Sequence, residues 1–113
     1  PALTKGEQKW DYLFVDDLIE AIYSVAISPK TQGIFNLGSG EAYSVRRIVE
    51  KIRDLINPSM ELGFGEIPYK SDQIMHLQAD ITKLKNSTTW FPKTSLDEGL
   101  KKTVEWYKKR EKS

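Results

Sequence analysis

Apolar residues recur at helical spacing along much of the chain, and the places where that spacing breaks divide it into elements. Leu18, Ile19, Ala21, Ile22, Val25 and Ala26 fall on an arc wide enough for a helix packed on a sheet. Asp17 with Glu20 three residues later forms a D-x-x-E start in which Asp17 can cap free amides, and Ser28-Pro29 ends the run. A second helix has the cleaner pattern. Val45, Ile48, Val49, Ile52, Leu55 and Ile56 line one face, with Arg46, Arg47, Glu50, Lys51, Arg53 and Asp54 on the other. Ser44 is placed to cap it and Asn57-Pro58 to stop it. Further on, Asp80 can cap a short helix reaching Leu84. The capping box Ser95-Leu96-Asp97-Glu98 opens a last helix whose inward stripe is Leu96, Leu100, Val104 and Tyr107.

Between the helices, residues 11–15 (DYLFV), 33–37 (GIFNL) and 60–64 (MELGF) are rich enough in aromatic and branched side chains to predict short strands. Strands alternating with helices define an α/β class, expected here as short parallel strands with right-handed crossovers followed by two terminal helices. Residues 65–80 are irregular, polar and long for a loop, which makes them the first place to look for function. Trp90-Phe91-Pro92 reads as an aromatic turn wedged against the core. Without repeats, low-complexity tracts or a linker, one domain over residues 1–113 is expected.

Composition mostly removes possibilities. Seventeen Lys plus Arg against sixteen Asp plus Glu leave a net charge of +1, too little to attract a phosphate polymer or an anionic lipid surface. The basic end of the last helix, residues 108–112, sits where cations oppose the helix dipole, so it reads as a solvated terminus rather than a nucleic-acid site. The chain has no Cys, which excludes disulfides and fits a cytoplasmic origin. Its longest apolar neighbourhood, residues 18–27, is broken by Glu20, Tyr23 and Ser24, so no membrane partner is expected. The sequence opens at Pro1 without a charged leader, as expected of a piece cut from a longer chain.

Candidate chemistry is sparse. Gly38-Ser39-Gly40 stands between a predicted strand and a helix, but a dinucleotide fingerprint needs a third Gly where Tyr43 stands. A strand-to-helix turn is the simpler role for it, and a phosphate contact or a close backbone approach the alternative. A carbonyl-reducing site needs a Tyr with a Lys four residues on, the ammonium lowering the phenol's pKa. Tyr12, Tyr23, Tyr43, Tyr69 and Tyr107 are followed at that offset by Asp16, Ile27, Arg47, Gln73 and Glu111. Asp16 and Asp17 read as capping residues, and His76, lacking a nearby ligand set, as a loop histidine, so no metal site or catalytic residue is assigned.

Three segments together resemble the carboxyl-terminal part of the NAD-dependent epimerase/dehydratase family, the extended short-chain dehydrogenases that act on nucleotide sugars. Residues 6–17 (GEQKWDYLFVDD) are similar to the family's Gly-rich turn, Arg-Asp-aromatic, short strand and Asp-capped helix. Residues 34–40 (IFNLGSG) resemble its aromatic-Asn-aliphatic-Gly-Ser/Thr-Gly strand end. Trp90-Phe91-Pro92, followed by Ser95-Leu96-Asp97-Glu98-Gly99-Leu100, resembles its closing Trp-x-Pro and Leu-x-Glu-Gly-Leu pattern. Each motif is weak alone; their order and separation are specific.

The resemblance implies a homodimeric parent enzyme with an amino-terminal Rossmann portion that binds NAD or NADP and carries the Tyr-x-x-x-Lys pair. This chain would be the region gripping a CDP-, UDP-, GDP- or dTDP-hexose, with the cofactor held mainly elsewhere. In the family, two arginines reach the substrate diphosphate. Here Trp10 occupies the first position and Lys70 the second, while Gln73 matches a residue near the nucleotide. Lys70 could act as a point charge, Trp10 could stack on a base or sugar, and Gln73 could hydrogen-bond a base edge or hydroxyl. The Trp-Asp-Tyr variant, with residues 67–70 and 72–75, looks closer to CDP-abequose and CDP-paratose synthases than to UDP-galactose epimerases. By the same analogy, the strand at Asn36 and the helix after Ser44 would lie partly on the Rossmann sheet. The competing expectation is a stand-alone α/β module that binds a small ligand or a protein through residues 65–80 without catalysis.

Overall fold

The computed structural model describes residues 1–29 and 31–112, the last of these by its backbone only. Strand β1 (Lys9–Asp11) leads into helix α1 (Val15–Ile27), and strand β2 (Ala42–Ser44) runs directly into helix α2 (Val45–Ile56). Strand β3 (His76–Leu77), helix α3 (Thr82–Ser87) and helix α4 (Leu96–Lys112) complete the order. The α/β class and the two terminal helices are as expected, but the sheet is mixed. β1 lies in the centre, antiparallel to β2 with Trp10 opposite Tyr43, and parallel to β3 with Trp10 opposite Leu77.

The first expected strand is displaced. Residues 12–14 are irregular, and Val15 is the first residue of α1 rather than the last of a strand, because the Phe14 carbonyl accepts the Leu18 amide at 3.1 Å. Phe14 is also the N-cap, without a side-chain cap, so Asp17 does not cap its own helix. Residues 33–37 form no strand among the described residues, because no neighbouring strand lies beside them. Residues 60–64 contribute only one bridge, in which Gly63 pairs with Ala2. Two strands escape the sequence pattern altogether. β2 and β3 are three and two residues long, too short to show an alternation.

The helices after β2 follow local chemistry closely. Ser44 Oγ accepts the Arg47 amide at 3.2 Å, and Ser95 Oγ accepts the Glu98 amide at 3.2 Å. Each satisfies a donor that the first turn of a helix leaves free. At the other box position Glu98 reaches forward to Lys102 (3.3 Å). Asp80 Oδ1 accepts the Thr82 amide and hydroxyl at 3.0 and 2.6 Å just ahead of α3, but the N-cap is Ile81, without a side-chain cap, and the helix runs past Leu84 to Ser87.

The core is small. Ala21, Ile81, Leu84 and Trp90 are buried together, with Leu13, Val25, Phe35 and Ala79 packed against them. Trp90 does wedge into the core. Its indole N–H donates to the Asp17 carbonyl at 2.9 Å, while Phe91 stays exposed. Ile48 of α2 and Val104 of α4 are buried, but Tyr107, expected on the inward stripe, is exposed and packs edge-on against Trp106.

Candidate functional site

Residues 67–77 lie along residues 3–10, and this alignment brings the three nominated residues into one neighbourhood. The Ile67 amide donates to the Leu3 carbonyl (2.9 Å), the Glu7 amide to the Tyr69 hydroxyl (2.8 Å), and the Lys9 amide to the Met75 carbonyl (2.8 Å). A turn closes between the Lys70 carbonyl and the Gln73 amide at 3.1 Å. Trp10 then ties the strand to that turn, its indole N–H donating to the Ile74 carbonyl at 3.0 Å. The Gln73 side-chain amide approaches the same carbonyl at 3.4 Å.

Trp10 and Gln73 therefore converge on one backbone oxygen, while Lys70 stands at the mouth of the turn with an exposed side chain. The Lys70 ammonium makes no hydrogen bond or ion pair among the described residues, which leaves its charge available to an anion. The half-buried Trp10 has spent its only donor, so its ring can offer a ligand a face but no hydrogen bond. Gln73 keeps its amide oxygen for a ligand donor. A cation and an amide on one turn, with an aromatic ring on the adjoining strand, suit a phosphorylated ligand that also carries a ring or hydroxyls.

Behind this neighbourhood lies a residue that sequence reasoning passed over. Asp11, at the end of β1, accepts the Ser39 amide and hydroxyl on Oδ1 (2.8 and 2.6 Å) and the Gly40 and Ala79 amides on Oδ2 (3.0 and 3.2 Å). Four donors around one carboxylate form an anion-binding cradle, and the protein's own side chain fills it. This identifies the role of Gly38-Ser39-Gly40. Gly40 has a positive φ of 81°, and a Cβ on Gly38 would stand 2.6 Å from Ala79 Cβ and 2.7 Å from Asp11 Oδ2. Close approach, one of the two alternatives, is the reason for Gly38. The amides at residues 39 and 40 are already engaged, so the loop is not free to hold a cofactor phosphate.

Asp17 plays a parallel part. Its carboxylate, almost fully buried, accepts the Lys93 and Thr94 amides at 3.1 and 2.8 Å and fastens the chain entering α4 to the start of α1. Asp17 thus caps amides, but those of a distant turn. His76 is exposed and within 3.0 Å of the Gln78 side chain. Among the described residues no cluster of His, Asp and Glu could hold a metal ion.

Elsewhere, a cleft of 530 Å³ opens between the residues leaving β1, the loop before β2 and the start of α4. Tyr12, Phe14, Glu41, Tyr43, Leu96 and Leu100 are among its walls, none of them a residue the sequence nominated for binding. The Tyr43 hydroxyl donates to Glu41, which holds its pKa above the ordinary phenol value, and burial raises that of Tyr12. Both phenols therefore stay protonated at neutral pH.

No protein-family model matches the chain. The UDP-N-acetyl-alpha-D-glucosaminuronate decarboxylase of Bacillus cytotoxicus is 30% identical over 111 residues, which are 94% of this chain and 34% of that protein. The UDP-glucose 4-epimerase of Thermotoga maritima, solved with UDP-glucose, superposes with a TM-score of 0.84 at 30% identity, covering 96% of this chain and 35% of that one. The dTDP-glucose 4,6-dehydratase of Bacillus anthracis, solved with NAD, superposes with a TM-score of 0.84 at 26% identity over 99% of this chain and 35% of that one. These relatives belong to the NAD-dependent epimerase/dehydratase family that the three sequence motifs resemble. The chain spans about a third of the length of the curated relatives it matches.

Proposed function

We propose that this chain is the nucleotide-sugar-gripping, carboxyl-terminal part of an NAD(P)-dependent enzyme that epimerises, dehydrates or decarboxylates a nucleotide-linked hexose. The observation carrying this reading is the convergence of Trp10 and Gln73 on the Ile74 carbonyl, beside the turn that also carries the exposed Lys70. Lys70 would neutralise a diphosphate oxygen, Trp10 would pack against the base or sugar, and Gln73 would accept or donate one hydrogen bond at the nucleotide. The named relatives act on UDP- and dTDP-linked sugars, which supports a nucleotide-sugar ligand. Trp10 in place of an arginine favours, in our reading, the CDP-linked dideoxysugar branch.

The cofactor does not fit the described residues. The Gly38-Ser39-Gly40 loop holds Asp11, and no Tyr is followed four residues later by Lys. NAD(P) and the general base would thus be held outside this chain in a dimeric parent, with the 113 residues supplying substrate grip rather than catalysis.

Titration with CDP-, UDP-, GDP- and dTDP-hexoses, followed by amide shifts, tests the reading. One of the four should bind saturably and move the Trp10 and Gln73 signals. Lys70→Ala should weaken that binding by roughly tenfold or more, since one charge-assisted hydrogen bond is worth about 1.5–3 kcal/mol. Unchanged affinity in Lys70→Ala would sink the phosphate contact.

A further inference from the structure

The 530 Å³ cleft beside the start of α4 falls within the roughly 300–1,000 Å³ usual for small-molecule sites. Its apolar wall is made by the rings of Tyr12, Phe14 and Tyr43 and by Leu96 and Leu100 of α4. The aliphatic hydroxyls that line it are already used within the protein. Ser39 Oγ donates to Asp11 at 2.6 Å, Thr94 Oγ1 to Asp17 at 3.3 Å and Thr103 Oγ1 to the Gly99 carbonyl at 2.8 Å, while Ser95 Oγ accepts the Glu98 amide. Two polar side chains are left for a ligand. The Tyr12 hydroxyl has no partner among the described residues, and Glu41 is engaged only through Oε2, by the neutral Tyr43 hydroxyl.

The charges narrow the choice of ligand. Glu41 and Lys93 are the ionised side chains of the wall, and the Lys93 ammonium is paired with Glu20 of α1 at 3.2 Å. Both tyrosines stay protonated, so the charge left in the cleft is the Glu41 carboxylate. Two cations from outside the wall approach its rings. The Lys102 ammonium, paired with Glu98 at 3.3 Å, is 5.7 Å from the centre of the Phe14 ring, and the Arg47 guanidinium is 5.4 Å from that of Tyr43. Both stand near the outer limit of about 6 Å for such contacts. Among the described residues neither forms an ion pair with Glu41. An aromatic cleft whose uncompensated charge is negative suits a cation that carries an apolar body.

We infer that this cleft is a separate binding site for a small organic ammonium ion, whose cation meets the Glu41 carboxylate while its apolar body packs among Tyr12, Phe14, Tyr43, Leu96 and Leu100. Tyr43 is then both a wall and a positioning residue, since its hydroxyl holds the carboxylate at the cleft. The Tyr12 hydroxyl is free to make one further hydrogen bond to the ligand. None of Trp10, Lys70 and Gln73 lines the cleft, so this site stands independently of the proposed nucleotide-sugar grip.

The probe is phenethylammonium, titrated into the chain and followed by amide shifts. Phenethyl alcohol and hydrocinnamate serve as comparisons, because they keep the ring and replace the cation by a neutral and an anionic group. The cation should bind saturably, move the Tyr12, Glu41 and Tyr43 signals, and bind about tenfold more tightly than the alcohol, with the anion weaker still. Glu41→Gln keeps an acceptor for Tyr43 and removes the charge. It should bring phenethylammonium down to the affinity of the alcohol while the amides of α4 keep their exchange rates. Thr103→Phe, at an exposed position of α4 that lines the cleft, should crowd the site and weaken all three compounds. Lys70→Ala should leave phenethylammonium binding as it was. Equal affinity for cation and alcohol overturns the inference, as does unchanged affinity in Glu41→Gln. Shifts that fail to saturate, or that centre on the exposed face of α1 or on the 70–73 turn, overturn it as well.

Discussion

At the scale of single residues, two carboxylates organise the molecule, and both act on backbone far from themselves. Replacing Asp11 by Ala would leave the Ser39, Gly40 and Ala79 donors without their acceptor. A stability loss of about 2–4 kcal/mol is expected, larger than for one neutral hydrogen bond, because partly buried donors lose a charged partner. Denaturant unfolding of Asp11→Ala against Asp11→Asn measures it, with Asn retaining part of the network. Gly38→Ala should cost about 1–3 kcal/mol through the clash with Ala79 and Asp11. An unchanged unfolding midpoint for Gly38→Ala would refute the close-approach account of that glycine.

Asp97 offers a test of electrostatics at the surface. Its hydrogen bond to Lys51, reinforced by the ammonium charge, holds its pKa below the ordinary 3.8. Because the folded value is depressed, its contribution is present above the unfolded pKa and is lost as pH falls through the folded one. As the pH falls from neutrality through and below the ordinary carboxylate value of 3.8, the native protein should therefore lose slightly more stability than Asp97→Asn. Parallel midpoint curves for the two proteins over that range would contradict the assignment. Asp80, whose pKa is lowered by the Thr82 hydroxyl, contributes in the same direction.

At the scale of elements, the helices divide into those set by their own sequence and those set by contacts. α2 starts where Ser44 can cap it, and Ser44→Ala should cost about 1 kcal/mol, read as an unfolding shift with loss of helical signal. α1 has no side-chain cap and depends on the Asp17 contacts and Trp90 instead. Trp90→Ala should accordingly cost about 3–5 kcal/mol, a large part of the stability of so small a core. Of the three nominated ligand residues, Trp10 is fixed by β1 and by its indole hydrogen bond. Lys70 and Gln73 are positioned by a single turn, so the grip should be more adaptable on their side.

At the scale of the whole molecule, the apolar surface exceeds what the small core can cover. Val15, Ile19, Ile22, Tyr23 and Ile27 of α1 are all more than half exposed. The free chain should therefore associate with rising concentration, and Ile19→Lys with Ile22→Lys should shift it toward monomer in sedimentation equilibrium. A strictly monomeric native chain at high concentration would remove that expectation. The resemblance placed the uncovered surface at the Asn36 strand and the helix after Ser44. The structure keeps it at that strand, where Ile34 is exposed, but has it on α1 rather than on α2, because α2 packs on α4.

The sequence by itself determined the α/β class, the bodies of α1 and α2, the capped starts of α2 and α4, and the family resemblance. Each of these is written in neighbours three or four residues apart, where periodicity and capping operate. Tertiary structure decided the rest. Strands of two or three residues carry no period, so β2 and β3 exist only because Trp10 has partners on both sides. The work of Asp11 and Asp17 depends on amides 28 and more residues away, a separation at which no local pattern distinguishes a staple from a cap. Residues 33–37 show the reverse case. Their apolar pattern predicts a strand, and among the described residues no neighbour pairs with it. A strand is completed by a neighbouring edge, which local sequence cannot provide.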